Sequence, residues 1–379
     1  MRIKKLTAYV LCLIMAACLS ACTGIVEPTS DQSTTVDTAE HFNVAVFYFD
    51  YADAYISAVR TALNKDLTDS GIPYTEYDAA SNQATQNSQI DTALAHGASM
   101  LLVNIVSSGS TDIADSICLK AYVAHVPVVF FNRSVEAEGD EGVILDFYSN
   151  VAFVGTDPAE AGHLQGQMIG HYLIENYDRC DLNGDGVISY ASFKGEAKNA
   201  EAIYRTLYSA EDTNHILRAN GKPALSYFNP SSVDEFQLDL TGKWSMDAVR
   251  DYMMTNLGQY NETSENMIEL VICNSDTMAE GAIRALQAFG YNTGDETATT
   301  IPVFGVDASP AGRQLISEGK MAGTVVQDAQ GMAHCISLLT SNVNEGKDLL
   351  DGTEDYARDT KNKIEHKLYI PYSVYEPEK

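Results

Sequence analysis

Basic residues are scarce in this chain: 24 lysines and arginines stand against 52 aspartates and glutamates, and the formal net charge at pH 7 is −28. A protein that binds nucleic acid needs clustered lysine and arginine to displace counterions from the phosphates. The charge balance therefore excludes nucleic acid as a partner. A strongly acidic exterior is typical of a protein that stays in solution outside the cell.

Cysteine is also infrequent, with seven among 379 residues and none in a Cys-x-x-Cys or cysteine–histidine spacing that would indicate zinc. Cys12, Cys18 and Cys22 lie close to the N-terminus. The remaining four are widely scattered: Cys118, Cys180, Cys273 and Cys335. An extracellular disulfide is the alternative. Because most of these residues fall in helix or strand patterns, we predict buried thiols.

Long apolar runs are absent except at the N-terminus. A short basic region, Met1–Lys5, precedes an apolar run from Leu6 to Leu19, which is the layout of a secretory signal peptide. The run is too short to cross a bilayer comfortably, because a spanning helix takes about 20 apolar residues. We therefore predict a signal peptide over residues 1–21.

The segment Leu19-Ser20-Ala21-Cys22 resembles a bacterial lipoprotein signal. In such signals the cysteine is acylated and becomes the new N-terminus. The resemblance therefore implies a lipid anchor on Cys22 at the extracellular face of the cell membrane, or a periplasmic protein if the source has an outer membrane. An ordinary signal peptide with an incidental Cys22 is the alternative.

Residues 22–41 are rich in Ser, Thr, Asp and Glu and hold little that could form a core, so we predict a flexible tether. The folded part then begins near Phe42. Residues 42–379 are more than one hydrophobic core usually takes, so we expect two lobes.

From Phe42 onward, short apolar runs alternate with amphipathic stretches, which is the pattern of an α/β protein with parallel sheets covered on both faces. The predicted strands of the first lobe are Asn43–Phe49, Pro73–Tyr77, Met100–Asn104, Val126–Phe131 and Val151–Val154. Its predicted helices are Tyr55–Leu67, Gln83–Ala95 and Thr111–Ala124.

The same order repeats in the second lobe. Its predicted strands are Gly186–Phe193, Ala224–Phe228, Ile268–Asn274, Ile301–Val306 and Ala322–Val325. Its predicted helices are Ala159–Asn176, Ala200–Leu217, Met246–Leu257, Met278–Phe289 and Ala311–Gly319. A helix over Ala329–Val343 and a strand over Leu368–Tyr372 cannot be given to a lobe from pattern alone.

Polar and aromatic residues follow the predicted strands, where open α/β sheets bind their ligands. Asp53 and Tyr55 follow the first strand, Asn132 follows another, and Asn199, Glu201 and Arg205 follow a strand of the second lobe. Planar polar groups and aromatic faces suit a pyranose, which has hydroxyls and apolar C–H faces. Each residue alone could be a surface or capping residue, but their recurrence in both lobes predicts a site for a polyhydroxylated ligand.

Trp244, the single tryptophan, stands in a polar context, Gly242-Lys243-Trp244-Ser245, which is unusual for a purely structural tryptophan. Asp307 follows a predicted strand of the second lobe and could be a helix N-cap. We count both as candidate ligand contacts.

The segment Asp181-Leu182-Asn183-Gly184-Asp185-Gly186-Val187-Ile188-Ser189 matches the start of an EF-hand calcium loop. Calcium takes about six to eight oxygens, and the loop offers Asp181, Asn183, Asp185, the Val187 carbonyl and Ser189. The usual acidic residue at loop position twelve is replaced by Ser192, so a remote carboxylate must complete the shell. A solvated Asp/Asn/Gly turn is the alternative.

The chain resembles the periplasmic galactose/glucose-binding protein family of bacterial ABC transport and chemotaxis. The likeness covers Asn43 to Tyr372, and its most specific pieces are Pro127–Asn132, Val154–Asp157, Asp181–Gly186, Lys194–Glu196, Pro302–Ala308 and Gly323–Val325. The resemblance implies two Rossmann-like lobes joined by a three-strand hinge.

In this resemblance the chain crosses between the lobes near Gly155–Thr156, Val326–Asp328 and Lys363–Lys367. The first lobe then comprises 42–155 plus 328–363, and the second lobe comprises 156–327 plus 364–379.

The resemblance also implies residue roles. Sugar hydroxyls would be held by Asp53, Asn132, Arg205 and Asp307, and the sugar ring would lie between Tyr55 and Trp244. Glu269 would be the remote carboxylate of the calcium loop. Four pocket positions depart from the family pattern: Asn199, Glu201, Ser275 and Gln327. These departures leave the identity of the sugar open, with galactose or glucose as the leading candidate.

The family implies a monomer that delivers its sugar to the membrane permease of an ABC transporter. A sensor subunit for a chemoreceptor or a histidine kinase is the alternative. A secreted carbohydrate-active enzyme with Glu201 and Asp307 as paired carboxylates is disfavoured, since no Gly-x-Ser-x-Gly motif occurs and the carboxylates suit hydroxyls. A repressor of similar fold would need a DNA-binding helix-turn-helix where this chain has an export signal.

Overall fold

The computed structural model describes residues 42–264, 266–295 and 297–377. The predicted signal peptide (1–21), the predicted lipidation site Cys22 and the predicted tether (22–41) lie outside these residues. Within the described segments, no helix has the length and apolar character that a membrane crossing requires.

Strands and helices alternate along the chain. The strands are β1 (Val44–Tyr48), β2 (Tyr74–Asp78), β3 (Met100–Val103), β4 (Val128–Phe131), β5 (Val151–Gly155), β6 (Ser189–Lys194), β7 (Ser226–Tyr227), β8 (Gln237–Leu238), β9 (Leu270–Cys273), β10 (Val303–Asp307), β11 (Gly323–Gln327), β12 (Ala357–Asp359), β13 (Ile364–Tyr369) and β14 (Tyr372–Val374). The helices are α1 (Ala54–Asp69), α2 (Gln83–Ala95), α3 (Thr111–Val123), α4 (Pro158–Cys180), α5 (Ala200–Ala219), α6 (Met246–Leu257), α7 (Asp276–Ala288), α8 (Pro310–Ser317) and α9 (Ala329–Asn344).

The first lobe is built on a sheet with strand order β12-β13-β5-β4-β3-β1-β2. Strands β1 to β5 and β13 pair in parallel, and only the edge pair β12–β13 is antiparallel. Every residue of β1 is buried, as expected for a parallel strand covered by helices on both faces. Helix α9 packs with α1 on one face, where Ile336 and Leu339 join the core with Leu63. It therefore returns to the first lobe, as the family resemblance implied.

The second lobe is built on a sheet with order β14-β11-β10-β9-β6-β7, and β8 also pairs with β6. Strands β6, β9, β10 and β11 are parallel, and β14 is antiparallel to β11. Their apolar faces form a core in which Phe193 and Phe304 are fully buried. Two largely parallel sheets flanked by helices confirm the predicted α/β class with two lobes.

The third crossing between the lobes differs from the expectation. It lies at Ile370–Pro371 and not at Lys363–Lys367, because β13 belongs to the first sheet: Leu368 pairs with Val154, and the Ile370 amide donates to the Gly155 carbonyl at 2.8 Å. The assignment of residues 364–369 to the second lobe is therefore wrong.

The predicted strand Leu368–Tyr372 is two strands in different sheets. Pro371 separates them, since proline has no amide proton for a continuous ladder. The short strands β8 and β12 were not predicted at all. The four cysteines of the described residues are free and buried, as predicted.

Candidate functional site

A cavity lies between the two lobes, at the carboxyl ends of the parallel strands. Its empty volume is about 600 Å³, part of it continuous with solvent. The predicted sugar-site residues all border it: Asp53, Tyr55, Asn132, Asn199, Glu201, Arg205, Trp244, Ser275, Asp307 and Gln327. The residues predicted from the sequence to form one site thus lie around one cavity in the structure.

Helix N-termini hold several of these side chains. Asp53, Asn199 and Ser275 are the N-caps of α1, α5 and α7, and each accepts a backbone N–H of its helix at 2.8–3.3 Å. An N-cap side chain stabilises its helix by about 0.5–2 kcal/mol. Asp53 is therefore a helix N-cap, as the capping alternative predicted. It also borders the cavity. Asp307 is not an N-cap, because Ser309 fills that position for α8.

Helix α5 is brought close to α4 by glycine. A Cβ atom at Gly162 or Gly166 would collide with the backbone carbonyl of Tyr204 or Tyr208 on α5, and one at Gly170 would collide with the Ile216 side chain. The close packing of these helices sets the position of the first turns of α5, which carry the site residues Asn199, Glu201 and Arg205.

Arg205 is a buried cation at the cavity, and only 3% of it is exposed. Its Nη1 donates to the Asn274 carbonyl at 2.8 Å, and its Nη2 donates to Gln327 Oε1 at 2.9 Å. Its Nη2 also lies 3.2 Å from the Glu201 carboxylate, and its Nη1 lies 3.7 Å from Asp307. Two carboxylates thus compensate the buried charge, which an unpaired burial would make costly.

Among the described residues, two buried donors on side chains that border the cavity have no acceptor. They are Arg205 Nε and Gln327 Nε2. A buried donor without a partner costs about 1–3 kcal/mol. Both residues border the cavity and present donor side chains to a polar ligand there.

Two carboxylates of the cavity need donors. Burial raises the pKa of Asp53 above its usual range, and burial raises the pKa of Asp307 well above it, although Arg205 opposes the shift of Asp307. A ligand that donates protons in hydrogen bonds would favour the ionised form of both.

Three of these residues have a left-handed backbone: φ is +62° at Asn132, +55° at Trp244 and +114° at Asp307. Such conformations are unfavourable for residues other than glycine, and they concentrate at functional sites. Asn132 follows β4 and Asp307 ends β10, whereas Trp244 precedes Ser245, the N-cap of α6.

The aromatic groups flank the cavity from opposite lobes. Trp244 lies against Gly195, and a Cβ atom at that position would overlap the indole ring. Tyr55 comes from α1 of the first lobe, and its hydroxyl lies 3.6 Å from Met332 Sδ. Gly195 therefore makes room for the indole, a role that the Lys194-Gly195-Glu196 motif alone did not reveal.

Side chains also meet across the mouth of the cavity. Arg133, on the first lobe, donates to the Glu196 carboxylate of the second lobe at 2.9–3.0 Å, and its guanidinium lies 4.3 Å from the centre of the Phe49 ring. Lys243 lies 3.5 Å from Asp50 on the opposite side. The lobes are therefore closed on each other. The contacts of Arg133, Glu196 and Lys243 across the lobes were not predicted, since ion pairs distant in sequence leave no local signal.

Tyr372 was also missed. It is buried on β14, and its hydroxyl lies 2.7 Å from both Glu201 and Arg205. No periodicity or motif marks a tyrosine after proline as part of a ligand site, so only the three-dimensional fold could reveal it.

The predicted calcium loop precedes β6 in the second lobe. Gly184 and Gly186 have φ of +73° and +85°, and Asp181 Oδ2 accepts the Gly186 amide at 3.0 Å. Asp181 Oδ1 is buried and receives no hydrogen bond from the part of the chain that the structure describes. The turn therefore has the glycine conformation and an unpaired carboxylate oxygen that fit a hard cation.

Glu269 lies fully buried against this loop. Its carboxylate accepts the amides of Leu182, Asn183 and Ser189 at 2.6–3.1 Å. Burial raises its pKa, and these amides oppose the shift. Over residues 42–264, 266–295 and 297–377, no group of three or more His, Cys, Asp or Glu side chains is arranged to hold a metal ion. Any cation here would depend on amide, carbonyl and hydroxyl oxygens besides the carboxylates.

Comparison with known proteins connects this architecture to a family. Residues 44–348 match the family described as "Periplasmic binding protein domain". The D-galactose/methyl-galactoside binding periplasmic protein of Haemophilus influenzae is 32% identical over 323 residues, which cover 85% of this chain and 87% of that protein. The ribose import binding protein of Escherichia coli is 21% identical over 86% of this chain and 88% of its own length.

Solved structures share the fold. A solute-binding protein of an ABC transporter from Clostridium phytofermentans, with bound β-D-glucose, has a TM-score of 0.66 at 17% identity and covers 88% of this chain and 94% of its own. One from Bacillus halodurans, with bound myo-inositol, has a TM-score of 0.63 at 22% identity and covers 89% and 95%.

Proposed function

We propose that this chain, which belongs to the periplasmic binding protein family, captures a monosaccharide between its two lobes and delivers it to the permease of an ABC transporter. Its relatives are solute-binding proteins, and the chain is accordingly a binding protein and not an enzyme. The paired carboxylates Glu201 and Asp307 are best explained as partners of Arg205 and of ligand hydroxyls.

One observation carries the choice of a sugar. The cavity is lined by two donor side chains, those of Arg205 and Gln327, and by two partly buried carboxylates, Asp53 and Asp307, whose pKa values burial raises. A hydroxyl group can accept from the first pair and donate to the second. A neutral polyol satisfies both sets without adding charge, and Trp244 offers a face for its C–H groups.

Galactose or glucose is the leading candidate. The support is the relative that is 32% identical, which is described as a D-galactose and methyl-galactoside binder. Four positions that the resemblance marks as departures all border the cavity: Asn199, Glu201, Ser275 and Gln327. Because a site built for one hydroxyl rejects a ligand that leaves its polar groups unpaired, these four positions would decide between neighbouring hexoses.

Capture would proceed by closure of the lobes about the three crossings. The sugar would bind one wall first, and rotation would bring the other wall onto it while the ion pair of Arg133 and Glu196 forms across the mouth. The closed surface would then be the one that a permease recognises. A chemoreceptor or a histidine kinase as the partner is the alternative.

Anchoring is proposed from the sequence alone. The lipoprotein-like signal ending at Cys22 supports a lipid-anchored, monomeric protein at the outer face of the cell membrane, or a periplasmic location if an outer membrane is present. Labelling of growing cells with a fatty-acid analogue would show incorporation into the wild-type protein and none into Cys22→Ser. Equal labelling of both proteins would contradict the anchor.

A calcium ion is proposed at the loop of residues 181–189. The residues that would hold it are Asp181, Asn183, Asp185, Val187 through its carbonyl, Ser189 and Glu269. The support is the unpaired buried oxygen of Asp181 and the buried charge of Glu269, for which a divalent cation would compensate. Such a cation would tie the start of β6 to the start of β9 and would stabilise the second lobe without touching the sugar.

A calorimetric titration tests the function. Purified protein would be titrated with D-galactose, D-glucose, D-ribose, L-arabinose and myo-inositol, and with galacturonate as a charged control. We expect one or two of the neutral sugars to bind at a single site with Kd near the micromolar range, about −8 kcal/mol. Absence of binding to every neutral ligand would contradict the proposal.

A further inference from the structure

The hydroxyl of Tyr372 lies where the three crossings of the hinge reach the cavity, although the sequence did not mark this residue. Each crossing supplies one polar residue there: Thr156 follows β5, Gln327 ends β11, and Tyr372 begins β14. Glu201 and Arg205 of α5 bind all three. The cavity wall and the hinge are thus joined by one buried hydrogen-bond cluster.

The direction of each hydrogen bond follows from the chemistry of the groups. The Tyr372 hydroxyl oxygen lies 2.7 Å from Arg205 Nη2 and 2.7 Å from Glu201 Oε2. A guanidinium only donates and a carboxylate only accepts, so the single hydroxyl proton is directed to Glu201 and a lone pair faces Arg205. Thr156 Oγ1 donates to the other oxygen of Glu201 at 2.5 Å. One hydroxyl therefore holds a cation and an anion in place together.

These contacts set the orientation of the Arg205 guanidinium. Nη1 donates to the Asn274 carbonyl, and Nη2 donates to Gln327 and Tyr372. Nε has no acceptor among the described residues. The cluster therefore fixes the guanidinium in one orientation at the border of the cavity.

We propose that Tyr372 is a positioning residue of the ligand site: its hydroxyl fixes the guanidinium of Arg205 and the carboxylate of Glu201 relative to the third crossing. Tyr372 is not among the described residues that border the cavity, so it acts through those two side chains. Because the crossing carries the hydroxyl, the same contact makes the geometry of the site depend on the geometry of the hinge. This inference rests on the proposed function of the cavity.

The test compares two tyrosine-to-phenylalanine variants that are alike in chemistry but lie at different places in the fold. Tyr372→Phe removes the hydroxyl from the cluster. Tyr369→Phe is the matched control, because the Tyr369 hydroxyl donates to the Asp359 carboxylate at 3.2 Å within the first lobe. Each protein would be titrated with D-galactose, D-glucose, D-ribose and myo-inositol by calorimetry.

We expect Tyr372→Phe to weaken binding by about 10- to 100-fold, the range for losing a hydrogen bond to charged groups. Tyr369→Phe should stay within about twofold of the wild type, because its partner lies away from the cavity. An unchanged Kd for Tyr372→Phe would overturn the inference. If the wild type bound none of these ligands, the proposed function itself would fail, and the inference with it.

A double-mutant cycle separates positioning from general destabilisation. If Tyr372 acts through Arg205, then Arg205→Lys combined with Tyr372→Phe should bind only slightly more weakly than Arg205→Lys alone. Losses that multiply would mean that Tyr372 acts independently of Arg205 and would overturn the inference. Should Tyr372→Phe fail to fold by circular dichroism, Tyr372→Met replaces it, because methionine also lacks the hydroxyl and adapts to an irregular apolar space. Wild-type affinity in that variant would equally overturn the inference.

Discussion

The two walls of the cavity are built differently. The wall from the second lobe is a buried network in which Arg205 contacts the Asn274 carbonyl, Gln327 and Tyr372. The wall from the first lobe has fewer side-chain contacts: Asp53 caps its own helix, and Asn132 Oδ1 lies 3.5 Å from Asn104 Nδ2. Both walls supply polar groups, but Asp53 and Asn132 of the first have fewer partners than Arg205 of the second.

This difference indicates that the two walls contribute differently to ligand binding. A wall whose groups are already held in place loses little conformational freedom when a ligand arrives, so its contacts contribute most to affinity. The first-lobe wall would add its contacts on closure. We therefore expect substitutions in the second wall to be more damaging than substitutions of similar size in the first.

The largest expected effect is at Arg205. Arg205→Lys removes the planar donor fork and leaves Glu201 and Asp307 short of a partner, so sugar affinity should fall by about 100- to 1,000-fold. Asn132→Ala on the first wall should cost about tenfold, since it removes neutral hydrogen bonds. Calorimetry on both variants measures the difference, with Arg250→Lys on the surface as control. Equal losses at the two walls would contradict the comparison.

Trp244 should come next. Trp244→Ala removes the aromatic face and leaves the indole space above Gly195 empty, so affinity should fall by at least about 30-fold, as for an aromatic hot spot. Trp244→Phe keeps a smaller face and should lose less. Titrations of both variants check this order. If Trp244→Ala binds sugar as tightly as the wild type, the aromatic assignment is wrong.

A smaller effect is expected at the mouth of the cavity. Glu196→Gln removes the charge that Arg133 contacts across the lobes, so closure should be less favourable and Kd should rise by about two- to tenfold. The difference from the wild type should shrink as salt is added, because screening weakens the ion pair. Measuring the Kd of both proteins at low and at high ionic strength tests this salt dependence. A loss that does not depend on salt would point to a cause other than the ion pair.

The smallest effect on binding should come from calcium. Removal of calcium with a chelator should lower the Tm and leave sugar affinity nearly unchanged, because a cation at 100 times its Kd adds about 2.7 kcal/mol to stability. Asp181→Asn should abolish the response of the Tm to added calcium. Thermal unfolding of both proteins with calcium, with chelator and with magnesium measures these changes in Tm. A Tm that is identical in all three would rule out a stabilising calcium site.

The sequence predicted the individual residues of the site better than it predicted the contacts between them. Residues directly after strands, such as Asp53, Asn132 and Asp307, could be found because parallel strands bring their carboxyl ends to one edge. Asn199 and Ser275 were detectable in the same way, at the first turn of the following helix.

Residues whose role depends on distant partners could not be found. Tyr372 meets Glu201 only because β14 returns beside β11, and Arg133 meets Glu196 only because the lobes close. The boundary at residue 364 was misjudged for the same reason. Strand β13 resembles a strand of either sheet by pattern, and its pairing with β5 is a property of the fold.

The most direct test of the account uses the single tryptophan as a reporter of the cavity. Trp244 fluorescence would be followed while neutral monosaccharides and, separately, galacturonate are added to the wild-type protein and to Arg205→Lys. The account predicts a saturable change with at least one neutral monosaccharide, at one-to-one stoichiometry, shifted to much higher concentration in Arg205→Lys. No change with any neutral sugar, or saturation only with the charged ligand, would contradict it.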